Sequence, residues 1–310
     1  MDISSSVNLA LSDFVDEVAE RTGEDPSAVR TYVDPFVDEG VITDEAIEQS
    51  VTDVAQILAT AETRVDLATR KRAEVRTAVT AAPDLAIVGV RDRALRDRLA
   101  DLRADVEDLG RTLTSVRTGI DSPVAVYQAG ADLHDLTTDA QRIVRVSHDL
   151  ETELGAFEAW LSSAPRRHDA IVDEIDAAES SAAAVTESID TLLTSNQHDA
   201  ERWFDARVQT LVLGVVIDDL RAETADLREW AAREQRSFPT KVEERIESLG
   251  EVAAACARDL EESPREETAH DDRLEKLRKQ LAEVDPPVAW ARVDAQVAAA
   301  REAIDADEQD

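Results

Sequence analysis

The sequence predicts an all-α protein, an elongated antiparallel helical bundle or coiled coil carrying a small N-terminal helical unit. Three observations lead there. Apolar residues recur at alternating spacings of four and three along most of the 310 residues, the period at which a helix keeps one seam facing a neighbour. No stretch of useful length alternates apolar and polar residues between glycines, as strands do. The seams are punctuated by proline and Asp-Pro or Ser-Pro breaks that stop helices and return the chain.

Residues 1–43 form the first predicted segment. Asn8 or Ser12 opens a helix carrying Leu11, Phe14, Val15, Val18 and Ala19, and Gly23 stops it. Asp25 and Pro26 supply an N-cap and a first-turn proline for a second helix through Val29, Tyr32 and Val33, which Pro35 breaks. Gly40 ends the segment, and Thr43 or Asp44 caps the next helix.

The second segment, residues 44–262, holds the long helices. Ile47, Val51, Val54, Leu58, Ala61, Val65, Ala68, Arg72, Val75 and Val79 keep the four-three rhythm with one polar interruption. After Ala82-Pro83-Asp84, residues 85–90 read as a connector, an apolar strap over the bundle. Leu95, Leu99, Leu102, Val106, Leu109, Leu113, Val116 and Ile120 form the next run, closed by Asp121-Ser122-Pro123. Leu133 to Leu161 and Ala164 to Leu192 share one phase, so Pro165 either separates two helices or kinks one; a break near Ser163 is preferred because an interior proline costs about 3 kcal/mol, while the preserved phase keeps the kink open. A helix from Asp199 to about Arg236 is apolar on most faces of its middle, from Val208 to Leu220, which places it at the bundle centre. Val242, Ile246, Leu249, Ala253, Cys256 and Leu260 follow Pro239. The third segment, residues 263–310, is a polar linker with two short helices separated by Pro286-Pro287.

Composition bounds the function. There are 68 acidic and 34 basic residues, a net charge of −34, and only four of the basic residues are lysines. Such a field repels itself in dilute buffer and is screened in molar salt, where the Debye length is about 3 Å. The longest apolar run, Leu211 to Ile217, is far short of the roughly 20 residues of a membrane span. With no basic, apolar leader at the start, a cytoplasmic location is expected. The single Cys256 excludes an internal disulfide. The four tryptophans, Trp160, Trp203, Trp230 and Trp290, are expected to act as core or interface anchors.

Candidate chemistry is sparse. Ala19, Gly23, Val29 and Tyr32 stand at the relative spacings of a helix-turn-helix, and the segment resembles that motif. Its charge disfavours DNA: residues 1–50 hold 13 acidic side chains against Arg21 and Arg30, whereas phosphate neutralisation needs Lys and Arg. Arg70, Lys71, Arg72 and Arg76 concentrate positive charge, and residues 62–118 hold 12 basic and 10 acidic side chains. That surface is expected either to dock an acidic partner or to interleave ion pairs along solvated faces. Every histidine precedes an aspartate (His134, His148, His168, His198 and His270), which resembles the metal-binding pair of HD-type phosphohydrolases. That family's upstream histidine is missing, and adjacent helical residues diverge by about 100°. Paired acids read as hydrated surface. No phosphate-binding glycine loop, zinc-protease helix or nucleophile elbow is present.

The acidic, lysine-poor composition resembles that of halophilic archaeal cytoplasmic proteins. Together with the heptads along most of the chain it resembles the uncharacterised haloarchaeal proteins called halo transducer proteins, which implies a link to transduction. The chain departs from true transducers in lacking membrane helices and the hairpin tip of the methyl-accepting class. The expected function is a non-enzymatic coiled-coil scaffold or signalling adaptor acting through helix-helix association, with a protein partner or a second copy. Neither cofactor, metal nor small-molecule substrate is expected. The alternatives are a DNA-associated regulator using the N-terminal unit and a metal-dependent hydrolase.

Overall fold

A computed structural model describes residues 9–118, 120–194, 200–262 and 270–307, with the side chains of 303–307 outside that description. The chain is all-α in class. Ten α-helices lie among the described residues, accompanied by a three-stranded sheet of two-residue strands. It divides into two compact units, residues 1–77 with 95–157 and residues 78–94 with 158–310. This division differs from the segments 1–43, 44–262 and 263–310 expected from the breaks, because the N-terminal elements pack onto the first long helices.

In the first unit, β1 (Leu9–Ala10) leads into α1 (Leu11–Thr22), which buries Phe14, Val15 and Val18. Ala10 occupies the N-cap without a side-chain bond, so Ser12 lies inside the helix; Asn8 is outside the described residues. Gly23 ends α1 at φ 79°, a left-handed conformation open to glycine at no steric cost, and its N–H reaches Ala19 O at 2.9 Å. Asp25 caps α2 (Pro26–Val33) by accepting from Ser27 N at 2.8 Å. That bond holds the exposed Asp25 carboxyl below its usual range. Pro35 stops the α-helix as expected, giving a 3-10 turn over Asp34–Phe36.

The strands beyond this turn depart from the helical expectation. β2 (Val37–Asp38) and β3 (Val41–Ile42) form a hairpin around Glu39 and Gly40, both with positive φ, and β3 also pairs with β1. All pairings are antiparallel, in the order β1-β3-β2. Strands this short leave no alternation to read, so Gly40 passes for a helix stop when it is a hairpin residue. Thr43 then caps α3 (Asp44–Ala81) through Ala46 N at 3.2 Å.

Helices α3, α4 (Ala86–Thr118) and α5 (Pro123–Ser162) supply the rest of this unit. Their heptad residues are buried: Val65 and Ala68 on α3, Leu99 and Leu102 on α4, Leu150 and Leu154 on α5. Polar pairs bind the seams from outside. Arg103 donates to Thr69 at 2.8 Å, Arg142 pairs with Asp105 at 3.4 Å, and Arg98 pairs with Glu153. The last two pairs run α4 and α5 antiparallel.

The second unit contains α6 (Ala164–Thr194), α7 (Ala200–Arg233) and α8 (Thr240–Glu262) in mutual contact. Of the two alternatives at Pro165 the chain takes the break, at Ser163, and Pro165 falls in the first turn of α6, where its missing N–H is one of the orphan donors. Helix α7 runs antiparallel to α8, with Arg228 against Glu243 and Arg207 against Glu261. Helix α8 runs parallel to α6, where Arg245 meets Asp176 and Glu179 and Cys256 meets Thr186. Cys256 is buried. Helices α9 (Asp271–Ala282) and α10 (Trp290–Asp307) close a core around Phe204, Val208, Leu260, Leu277 and Val293. Helix α7 is thus enclosed on most sides, as its apolar middle required. Residues 85–90 are not a non-helical connector: Leu85 precedes α4, whose first turns bury Ile87 and Val88 within this second unit.

Candidate functional site

The helix-turn-helix residues come together as the spacing demands. Ala19 accepts the Gly23 bond, Val29 is fully buried, and Tyr32 is half-buried at the edge of Tyr127 and His134 on α5, with ring centroids 6.0 and 5.6 Å away. A Cβ on Gly130 of α5 would collide with the Tyr32 carbonyl. Glycine there is what permits α2 to lie directly on α5. One face of the second helix is therefore occupied by the chain itself. The opposite face opens on a cleft of about 700 Å³ between α1 and α2, lined by Ser12, Asp16, Ser27, Arg30, Thr31 and Asp34.

The basic residues Arg70, Lys71, Arg72 and Arg76 lie on α3, with Arg70 and Arg76 exposed and Lys71 and Arg72 half-buried. Lys71 pairs with Glu74 at 3.5 Å, and its stem lies 3.8 Å from the position of a Cβ on Gly155 of α5. Arg98, in the same region, pairs with Glu153 of α5. The His-Asp pairs scatter: His134 and His148 on α5, His168 on α6, His270 at the head of α9, while His198 lies outside the described residues. Among the described residues no group of three or more His, Cys, Asp or Glu comes together that could hold a metal ion.

The densest polar constellation lies in the second unit. Helix α7 carries Asp219, Glu223 and Asp226 at four-three spacing, and each captures a different segment. Asp219 accepts from Val288 N at 2.7 Å and from Trp290 Nε1 at 2.9 Å, fixing the entry to α10. Asp226 accepts from Ile87 N at 2.8 Å, satisfying an orphan donor in the first turn of α4 and placing negative charge at its dipole. Glu223, 3 % exposed, receives Arg91 Nη2 at 2.7 Å, and the same nitrogen lies 2.7 Å from Glu174 on α6.

Aromatic rings complete the cluster. The Arg91 guanidinium sits 4.7 Å from the Trp160 ring, Trp160 meets Trp230 edge-on at 5.4 Å, and Arg167 lies 3.9 Å over Trp230. Arg167 also donates to Trp160 O and Leu161 O at 3.3 and 3.1 Å and pairs with Glu234. It thereby occupies the last carbonyls of α5, where the helix dipole favours a cation. Trp160, Trp203 and Trp230 are buried, as core anchors should be.

Burial governs the electrostatics. Desolvation pushes Glu223 up to about 8, against the pull of Arg91 and with the help of Glu174. Desolvation also raises Asp219, opposed by its bonds from Val288 and Trp290. Neighbouring structural ion pairs shift such values as effectively as active sites do, and each charged partner in this cluster joins one helix to another.

Sequence reasoning missed this hub by treating acids as hydrated surface. The available signal was position: Asp219, Glu223 and Asp226 repeat the seam's own spacing inside the most apolar helix, beside Leu220 and Leu227. No helix among the described residues is long and apolar enough to cross a membrane. Compared with protein-family models, curated proteins and solved structures, the chain matches none.

Proposed function

We propose that the chain is a non-enzymatic helical scaffold or signalling adaptor of a halophilic cytoplasm, working through helix-helix association of coiled-coil type. One observation carries this reading: the heptad positions of the long helices are buried within the chain, and the buried charges are consumed in holding helix to helix. Val65, Leu102 and Leu150 are among these buried positions. In this reading the partner docks on the outward face of the N-terminal unit, which is carried on α5 through Gly130 and Tyr32. The charge of −34 fits a molar-salt solvent, in which self-repulsion is screened.

A photo-crosslinking residue at Thr31, on the exposed face of α2, tests the reading against a control at Ser180 on α6. In concentrated-salt extract one discrete heteromeric adduct is expected from position 31 and none from 180. Equal or absent labelling at both positions contradicts the proposal.

One observation favours a second reading, a DNA-associated regulator: α1 and α2 meet at the Gly23 turn beside a three-stranded sheet of order β1-β3-β2. Duplex binding that weakens with KCl and is lost on Arg30→Glu would support it. The acidic surroundings, Asp16, Asp25 and Asp34, predict that no such binding occurs.

A further inference from the structure

Residues 85–94 form a strap on the second unit. Leu85, Ile87 and Val88 are buried there, Asp226 holds Ile87 N, and Arg91 is the strap's cationic anchor. That anchor has one nitrogen facing two carboxyl groups from two other helices, Glu223 on α7 and Glu174 on α6. The more exposed Glu174 connects the pair with solvent, at 42 % side-chain exposure against 3 % for Glu223.

We propose that Arg91, Glu174 and Glu223 form a proton-linked latch that keeps the strap seated while Glu223 holds its proton and releases it when that proton is lost. With the proton in place the three groups sum to zero charge. Without it, a buried guanidinium faces two carboxylates, and the surplus negative charge has little solvent to screen it.

Other groups reinforce the sign. On α7, Asp219 lies close enough to feel both Glu174 and Arg91, and Asp226 stands one turn beyond Glu223 at the strap's first amide. Asp92 follows Arg91 on the strap itself. Arg167 and Glu234 lie across the Trp160-Trp230 pair and compensate one another, while Arg245 of α8 is engaged by Asp176 and Glu179. Among the described residues, the charges acting on Glu223 are Arg91 and Glu174, so nothing supplies a second cation when the proton leaves. Burial already raises Glu223 into the range where this happens near neutral pH. Release uncovers Leu85, Ile87 and Val88 without breaking the α6-α7-α8 bundle.

The test is amide hydrogen exchange on the full chain in 2 M KCl from pH 6 to 9.5, corrected for intrinsic rates. Protection at residues 86–91 is expected to fall with pH, by at most about tenfold per unit for one linked proton, while α8 amides stay protected. Glu223→Gln removes the titration at nearly constant shape and should flatten the profile. Glu174→Gln, at the more exposed position, should flatten it too, because Arg91 and Glu223 then form a balanced pair. A wild-type profile without slope, or a slope that survives in either folded variant, overturns the latch.

Discussion

The two helical units specify their packing in different ways. In the first, the α4-α5 seam is almost wholly apolar, with Ser147 a fully buried exception, and charged pairs such as Arg98 with Glu153 stay outside. In the second, α7 buries Glu223, and Arg167 is buried against the Trp230 ring. Apolar seams tolerate sliding by a heptad at modest cost, because Leu meets Leu again. A guanidinium between two particular carboxyl groups does not tolerate it. The second unit therefore has its register written in charge, at the expense of desolvation, a role for buried polar groups that is best attested in helical assemblies.

The largest effect is expected from breaking the charged register. Arg167→Ala strips the α5 carbonyls and Glu234 of their cation and leaves Trp230 uncovered, a loss of about 3–5 kcal/mol in urea unfolding. Leu154→Ala probes the apolar counterpart in the first unit and is expected to cost about 2–5 kcal/mol through transfer and cavity terms. If Arg167→Ala proves neutral while Leu154→Ala is costly, the contrast between the units collapses.

Dependence on pH sharpens the same contrast. Glu223 has a folded pKa raised above its unfolded value, so its contribution is complete below about 4.5 and is lost as pH climbs through about 8. Thermal unfolding should show stability declining over that window, by at most about 5 kcal/mol, and Glu223→Gln should remove the decline.

Smaller still, Gly130→Ala forces α5 from the Tyr32 carbonyl and is expected to cost about 1–3 kcal/mol, read as lost protection in α2. Arg98→Ala, at a pair with both partners over 40 % exposed, should cost no more than about 1 kcal/mol, and less in 2 M KCl.

The first unit's bundle was the more legible in the sequence for a physical reason: its seams obey one rule, apolar residues at four-three spacing, and buried Val65, Leu102 and Leu136 are read directly from it. The caps at Asp25 and Thr43, the Gly23 turn and the Ser163 break were legible because each rests on local backbone chemistry. The sheet was not, since two-residue strands derive their pairing from tertiary contact, with Leu11 N bonded to Gly40 O at 3.0 Å closing the unit. Nor was the α7 hub. In a chain with 68 acidic residues, the sequence offers no contrast between a carboxylate facing solvent and one facing Arg91 from 132 residues away. The apolar strap itself was legible in Leu85, Ile87 and Val88; the same excess hid only its capture by Asp226 at the first turn.

Whether the heptad seams are satisfied within one chain is tested most directly by light scattering coupled to size exclusion in 2 M KCl. The predicted result is a single folded species at the chain mass of 34.0 kDa, unchanged across a hundredfold range of concentration; a stable dimer or larger assembly would mean that the long helices are themselves the interface and would contradict seams satisfied within one chain.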